Sequence, residues 1–445
     1  MTRKPQRHAF HLILPALVLF MGSTSQEGKF ISSGDVRNIL PLWDQAKFMA
    51  RQLTWRQEHI LPEIMSRAQV DLWIVDRNEG VLYLSLVPGD KEGLVPEEPS
   101  CLVYHYPGSS GTVDLTFAEQ DQLAGLINRL KPGRIGVGER NISRLKAALG
   151  NPYGDRLVDS RNLRIGFLEK RSPEEIGAFH YVTRIAHDVI AEAFSNRAII
   201  PDVTTTDELN WWIRQRYRDL GLMTSDHPTI TLQRCLAERK KYAESGEHFR
   251  IDLPPRNGYN SVIRRGDIIA CDTGVDYLGL GTDTQQVAYV LKEGESTVPE
   301  GLKTAIARTN RLQDLFAAEF REGRKGNDIW LAALKKAKAE ELRPAIYSHP
   351  IPYFLMRYEG NGAFYKNTRY GAGPDLGDGE SEEPTERGEY PVYLNTVYAM
   401  ELDTMTSVPE WGGQDVRIVL EQTVAFTDKG LVFLGGRQTD WHVIK

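Results

Sequence analysis

Cysteine is scarce in this chain, with only Cys101, Cys235 and Cys271 among 445 residues. An odd count without C-x-x-C spacing indicates neither a zinc knuckle nor a disulfide framework. Cys271, inside an apolar strand, reads as a plain buried thiol. A basic stripe is also lacking. The net charge is −6, with both signs spread along the sequence, so no lysine- and arginine-rich run is available to neutralise phosphates, and nucleic acid is excluded as a main partner. After the N-terminal segment no apolar run is long enough to cross a bilayer core of ~30 Å, so no stable membrane insertion of the mature chain is expected. Internal repeats at solenoid periods are missing. So is a dinucleotide fingerprint: Gly133, Gly136 and Gly138 around RIGVG lack the G-x-G-x-x-G order and read as a strand flanked by turns.

What is present starts with a directional pattern. Arg3, Lys4 and Arg7 precede an apolar stretch from Phe10 to Met21, followed by the small residues Gly22 to Ser25. This is signal-peptide order, and it predicts that 1–26 is a signal peptide and that the chain is exported, periplasmic or secreted. No A-x-A cleavage site is present, which leaves an uncleaved anchor as the alternative.

With 41% hydrophobic residues, the chain can bury large cores and has room for two or three domains. Ile39 to Ala68 reads as helical, and Val70 to Asp76 and Val81 to Val87 as strands. The helix-like AEQDQLAGLINRL and the strand RIGVGE follow. Alternating elements of this kind predict a small α/β domain over 36–163. A second unit, 164–445, opens with marked helix starts. Ser172 with Glu175, and Thr205 with Glu208, have capping-box spacing, and Pro173 suits a first helical position. Beyond Pro254 the pattern is strand-rich, interrupted by a helical Leu302 to Leu342. The long glycine-rich, acidic run from Glu359 to Pro384 is a candidate functional loop.

The chemistry sits in two pairs of acids. Asp272 and Asp283 stand eleven positions apart (283 − 272) on what reads as a β-hairpin. If they pair directly, the turn centres between Tyr277 and Leu278. Glu401 and Glu421 repeat the pattern about a turn near Trp411. Directly opposed residues on neighbouring strands have Cβ atoms ~4.5–5.5 Å apart, where like charges are destabilising. Any one acid alone reads as an exposed or ion-paired strand residue. Four among apolar neighbours call for a cation. Oxygen-rich ligation favours hard ions, and two ions ~3.5–4 Å apart would supply a hydroxide at neutral pH.

With RRGDIIACDTG, TDT, AMELD and VRIVLEQTVAFT in place, the chain resembles the pita-bread metallopeptidases, the Xaa-Pro aminopeptidases, prolidases and creatinase-like enzymes, as a divergent member. The resemblance spans nearly the whole mature chain. It implies an α/β (α+β) architecture: a creatinase-like N-terminal domain followed by a pita-bread catalytic domain. It also implies a dinuclear centre of divalent ions, Mn2+ first, with Zn2+, Co2+ or Fe2+ admissible. The family's ligands are two Asp, one His and two Glu, which places metal on Asp272, Asp283, Glu401 and Glu421.

The histidine departs from the family pattern. Its glycine-flanked segment looks like RYGAGPDLG, with Tyr370 at the imidazole position, while His349 in IYSHPIPYF lies about twenty residues further upstream. His349 is the candidate fifth ligand, with Tyr370 the alternative occupant. Two further family histidines have no counterpart; His248 lies too far upstream of Asp272 to be one, and His227 reads as a loop residue. Gln285 and Gln286 stand where the family often has Thr-Arg. Acid-base work then falls to Glu401, assisted by Tyr370 or Arg417. Tyr353, Phe354 or Trp411 could wall a proline ring. The activity implied is metal-dependent removal of the N-terminal residue of Xaa-Pro-type peptides, with a homodimer left open. The alternatives are a catalytically impaired binding module and a creatinase-like hydrolase of a small non-peptide substrate.

Overall fold

Helix starts set the frame. Ser172 Oγ accepts from Glu175 N at 3.0 Å, and the Glu175 carboxylate accepts from Ser172 N at 2.7 Å; the helix Pro173–Ala193 follows. Thr205 and Glu208 make the same reciprocal pair ahead of Thr206–Asp219. Both capping boxes satisfy backbone donors that a helix start leaves unpaired.

The computed structural model describes residues 39–79, 100–108, 111–224, 228–243, 261–351, 376–377 and 383–445. Arg37–Lys445 forms one compact unit. The signal-peptide segment, the expected strand Val81 to Val87, most of the glycine-rich run, and Tyr353, Phe354, Tyr370, His227 and His248 lie outside the described residues.

The first sheet contains β1 (Leu72–Asp76), β2 (Cys101–His105), β3 (Asp114–Ala118), β4 (Ile135–Val137) and β5 (Leu157–Asp159), in the order β3-β2-β1-β4-β5. Alternation divides its side chains between two cores. Leu72, Ile74, Val103 and Ile135 pack with Leu123 and Ile127, while Trp73, Val75 and Tyr104 pack with Ile64 and Phe167. The chain then enters the second half through a buried polar junction. Arg56, fully buried, pairs with Glu175 at 3.0 Å, and Arg171, equally buried, donates to Ile351 O at 2.7 Å. Each buried charge is hydrogen-bonded, which is the condition for tolerating it.

A small sheet links β6 (Met223–Thr224), β9 (Val275–Tyr277) and β10 (Leu280–Gly281) in the order β10-β9-β6. The large sheet contains β7 (Thr229–Gln233), β8 (Ile268–Thr273), β11 (Thr284–Val290), β12 (Pro344–Pro350), β13 (Thr396–Val408) and β14 (Gln414–Thr427), in the order β12-β13-β14-β11-β8-β7. Between β8 and β11 lie β9 (Val275–Tyr277) and β10 (Leu280–Gly281). At the end of the chain β15 (Gly430–Phe433) joins β14 and β16 (His442–Ile444) joins β11.

The expected helical stretch from Leu302 to Leu342 is two helices, Glu300–Ala317 and Gly326–Ala339. Between them Gly323 has φ +79°, outside the helical region,. Ile269, Cys271, Ala288 and Val290 share a core with the helices Pro173–Ala193 and Thr206–Asp219. Tyr398, Met400 and Leu402 share another with the helices of 300–339. Asp272 and Gln285 alternate with the first set on β8 and β11, and Glu401 alternates with the second on β13, so each projects from its strand on the side opposite those residues. All three cysteines are free and buried, as expected of plain thiols. Among the described residues no helix is long and apolar enough to cross a membrane.

Candidate metal centre

Register brings the acids together. Asp272 of β8 pairs with Gln285 of β11, Gln285 with Glu421 of β14, Glu421 with Glu401 of β13, and Glu401 with Tyr347 of β12. Cross-strand partners project to the same side of a sheet, so these five residues form one row. The opposition of Glu401 and Glu421 is the one the sequence predicted. Asp272 does not oppose Asp283. Leu278 and Gly279 have φ +58° and +74° and form the two-residue turn that pairs Tyr277 with Leu280. A turn with both central residues at positive φ matches the strand twist, and it sets the register two residues away from an Asp-Asp pair. Asp283 then lies one row along from Gln285, where Thr423 Oγ1 donates to its carbonyl at 2.9 Å and accepts from its N–H at 3.2 Å.

His349 belongs to this second row. It pairs with Ala399, which pairs with Thr423. The methyl of Ala399 leaves room for the imidazole to reach across β13, and His349 Nε2 comes within 3.7 Å of Asp283 Oδ2. The ring is buried. Among the described residues, ligand atoms of Asp283, His349 and Glu421 lie within 4.8 Å of one another. Asp272 and Glu401 flank this trio without belonging to it.

The trio carries an unmet demand. Glu421 is buried, and its Oε2 has no hydrogen-bond partner. Burial first, then the charges of Asp283, Glu401 and Asp272, push its carboxyl well above the usual range, against a hydrogen bond from Gln285. Glu401 is raised by the same means, burial first and then Asp283, with Gln285, His349 and Arg417 opposing. A bare carboxylate oxygen beside three further acids and an imidazole is a donor set that fits a divalent cation.

Several contacts around the site went unread in the sequence. Gln285 Nε2 donates to Glu401 Oε1 at 3.0 Å. Tyr347 places its ring 5.4 Å from that of His349, a contact that alternation in IYSHP could have suggested, since residues two apart in a strand share a face. Behind the site Thr284 Oγ1 donates to Glu421 O at 3.0 Å, so the buried His187 Nε2, 3.2 Å away, donates to that hydroxyl. Burial and the neighbouring His442 hold His187 down at about 4, and a neutral ring suits this bracing role. The Arg417 guanidinium pairs with Asp403, one position beyond the Glu401 row. Trp411 is a core residue, packed with Val408, Val416 and Ile418, so it is not a free wall for a substrate ring.

The sequence profile of metallopeptidase family M24 matches residues 178–428, more than half of the chain. No curated protein is matched by sequence. Among solved structures, the chain is similar to an X-Pro aminopeptidase from Thermotoga maritima, with 16% identity, TM-score 0.51 and 85% of this chain aligned to 99% of that one. It is also similar to an Xaa-Pro dipeptidase from Bacillus anthracis, with 11% identity, TM-score 0.52 and 88% aligned to 100%. Likeness at this identity shows the fold, which is the pita-bread fold that the strand motifs led us to expect.

Proposed function

The chain belongs to metallopeptidase family M24, and from that premise we propose that it removes the N-terminal residue of Xaa-Pro-type peptides with divalent metal held by Asp272, Asp283, His349, Glu401 and Glu421. The observation that carries this reading is the bare, buried Oε2 of Glu421 beside Asp283 and His349. Bound there, divalent ions would supply an activated hydroxide and polarise a carbonyl. The remaining work falls to side chains. Glu401, whose carboxyl is raised by burial and by Asp283, is placed to relay a proton to the departing amine. Arg417, held by Asp403, keeps a positive charge close enough to favour the ionised Glu401. Tyr370 stays a proposed assistant, and export of the chain by its N-terminal segment stays part of the proposal.

The test is release of the N-terminal residue from Xaa-Pro and Xaa-Ala peptides by the Mn2+-loaded protein, with Asp283→Ala as control. The reading expects Xaa-Pro turnover at least about a hundredfold above the control, the scale on which removing an essential group acts. Equal, slow release by both proteins ends the peptidase reading. Turnover of neither peptide by a protein that retains metal moves the activity to a non-peptide substrate.

A further inference from the structure

Gln285 occupies the middle of the acid row, between Asp272 on one side and Glu421 and Glu401 on the other. It is buried, and its amide crosses the line of Glu421 to reach Glu401 Oε1 at 3.0 Å. The orientation of that amide follows from chemistry. Ionised carboxylates only accept, so the NH2 end must face them, and its two hydrogens suit two acceptors. Glu421, its register partner on β14, lies beside the same amide. A neutral donor is thus placed beside two opposed glutamates, a pair that would otherwise demand a cation. The trio of Asp283, His349 and Glu421 keeps its bare oxygen, while the Asp272 side is separated from Glu421 by a full strand, so by two spacings of ~4.8 Å.

We propose that the Gln285 amide takes the part of one cation, so that a first divalent ion fills the Asp283, His349 and Glu421 position and a second, beside Asp272, must displace Gln285 from Glu401 to enter. Gln285 is a positioning residue in this account, and it sets metal occupancy. The inference rests on the metal-dependent reading above and deepens it, and the experiment separates the two.

The experiment is calorimetric titration of the metal-free full chain with Mn2+, with bound metal counted after gel filtration and the Mn2+ signal followed by electron paramagnetic resonance. Wild type is expected to retain one ion and to show a second binding step weaker by at least roughly tenfold, the size of effect that groups supporting metal ligands exert. Gln285→Ala should strengthen the second step by roughly tenfold or more and bring in the exchange-coupled signal of a paired site, with the first step changed less than about threefold. Asp272→Asn should abolish the second step alone. Two ions bound with equal affinity by wild type overturn the proposal, and so does a folded Gln285→Ala with an unaltered ratio. Retention of no ion by wild type overturns the metallopeptidase reading itself, an outcome distinct from equal filling.

Discussion

Gln285 and Glu421 are the one register pair that joins β11 to β14 among the described residues. Beyond it β11 pairs with β16 from Ala288 onward, and β14 pairs with β15 from Val424 onward. The two acid-bearing hairpins therefore meet at the site itself. Thr284 to Glu421 O and Thr423 to the Asp283 backbone reinforce the meeting point, so ligand positions depend on this seam more than on either hairpin alone.

The first prediction concerns the cost of the seam. Glu421 is fully desolvated beside three acids, and burying a charge without compensation is expensive. Glu421→Gln is expected to stabilise the metal-free chain at pH 8 by about 1 kcal/mol or more, while removing any stabilisation by Mn2+. Thermal unfolding with and without chelator is the measurement. A variant less stable than wild type without metal contradicts the account.

A pH dependence follows with a definite sign. Glu401 and Glu421 have folded values raised above the usual 4.5, so the folded chain holds more protons than the unfolded one, and metal-free stability falls as pH rises through this range. His187 and His442 act oppositely. Each is held down at about 4 by burial, and their contribution grows with pH and is complete near the unfolded histidine value of ~6.5. Glu79, raised to about 7 by burial, adds a falling contribution unrelated to metal. With the histidine contribution complete, the metal-dependent part is set by the glutamates: the gap in melting temperature between Mn2+-loaded and chelated protein should widen as pH rises through their raised range. A gap that narrows would count against the raised glutamates.

Ala399 offers a steric test. His349 reaches Asp283 across the strand that carries Ala399. Ala399→Leu would fill that path, lowering Mn2+ affinity roughly 10- to 100-fold and costing about 1–3 kcal/mol through overpacking. Ala399→Gly keeps the path open and should bind Mn2+ like wild type. Calorimetry on both variants decides the point, because a purely structural role would lower stability without separating their affinities.

Much of this was legible in the sequence, and the parts that were not have physical reasons. Glu401 and Glu421 lie symmetrically about their turn, so their opposition could be read directly. The Asp pair was displaced by two positions because Leu278 and Gly279 form the turn, and Gly279 was the overlooked cue. Capping boxes at Ser172 and Thr205 could be read because their partners are local. Gln285 to Glu401 could not, since it joins separate hairpins and depends on where β11 meets β14. His349 stood as a candidate by elimination, and its reach to Asp283 follows from the small residue on the intervening strand.

The Leu278–Gly279 turn also acts as a reading frame. Strand side chains alternate with a period of two, so one residue gained or lost between Asp272 and Asp283 would turn every later side chain of β11 to the opposite side of the sheet. Gln285 would leave the acid row, and Thr284, now beneath Glu421 against His187, would enter it. A change of length in this hairpin keeps the acid row only if it preserves parity. The spacing of the two aspartates is thus a count that decides which face the whole of β11 presents to the metal centre.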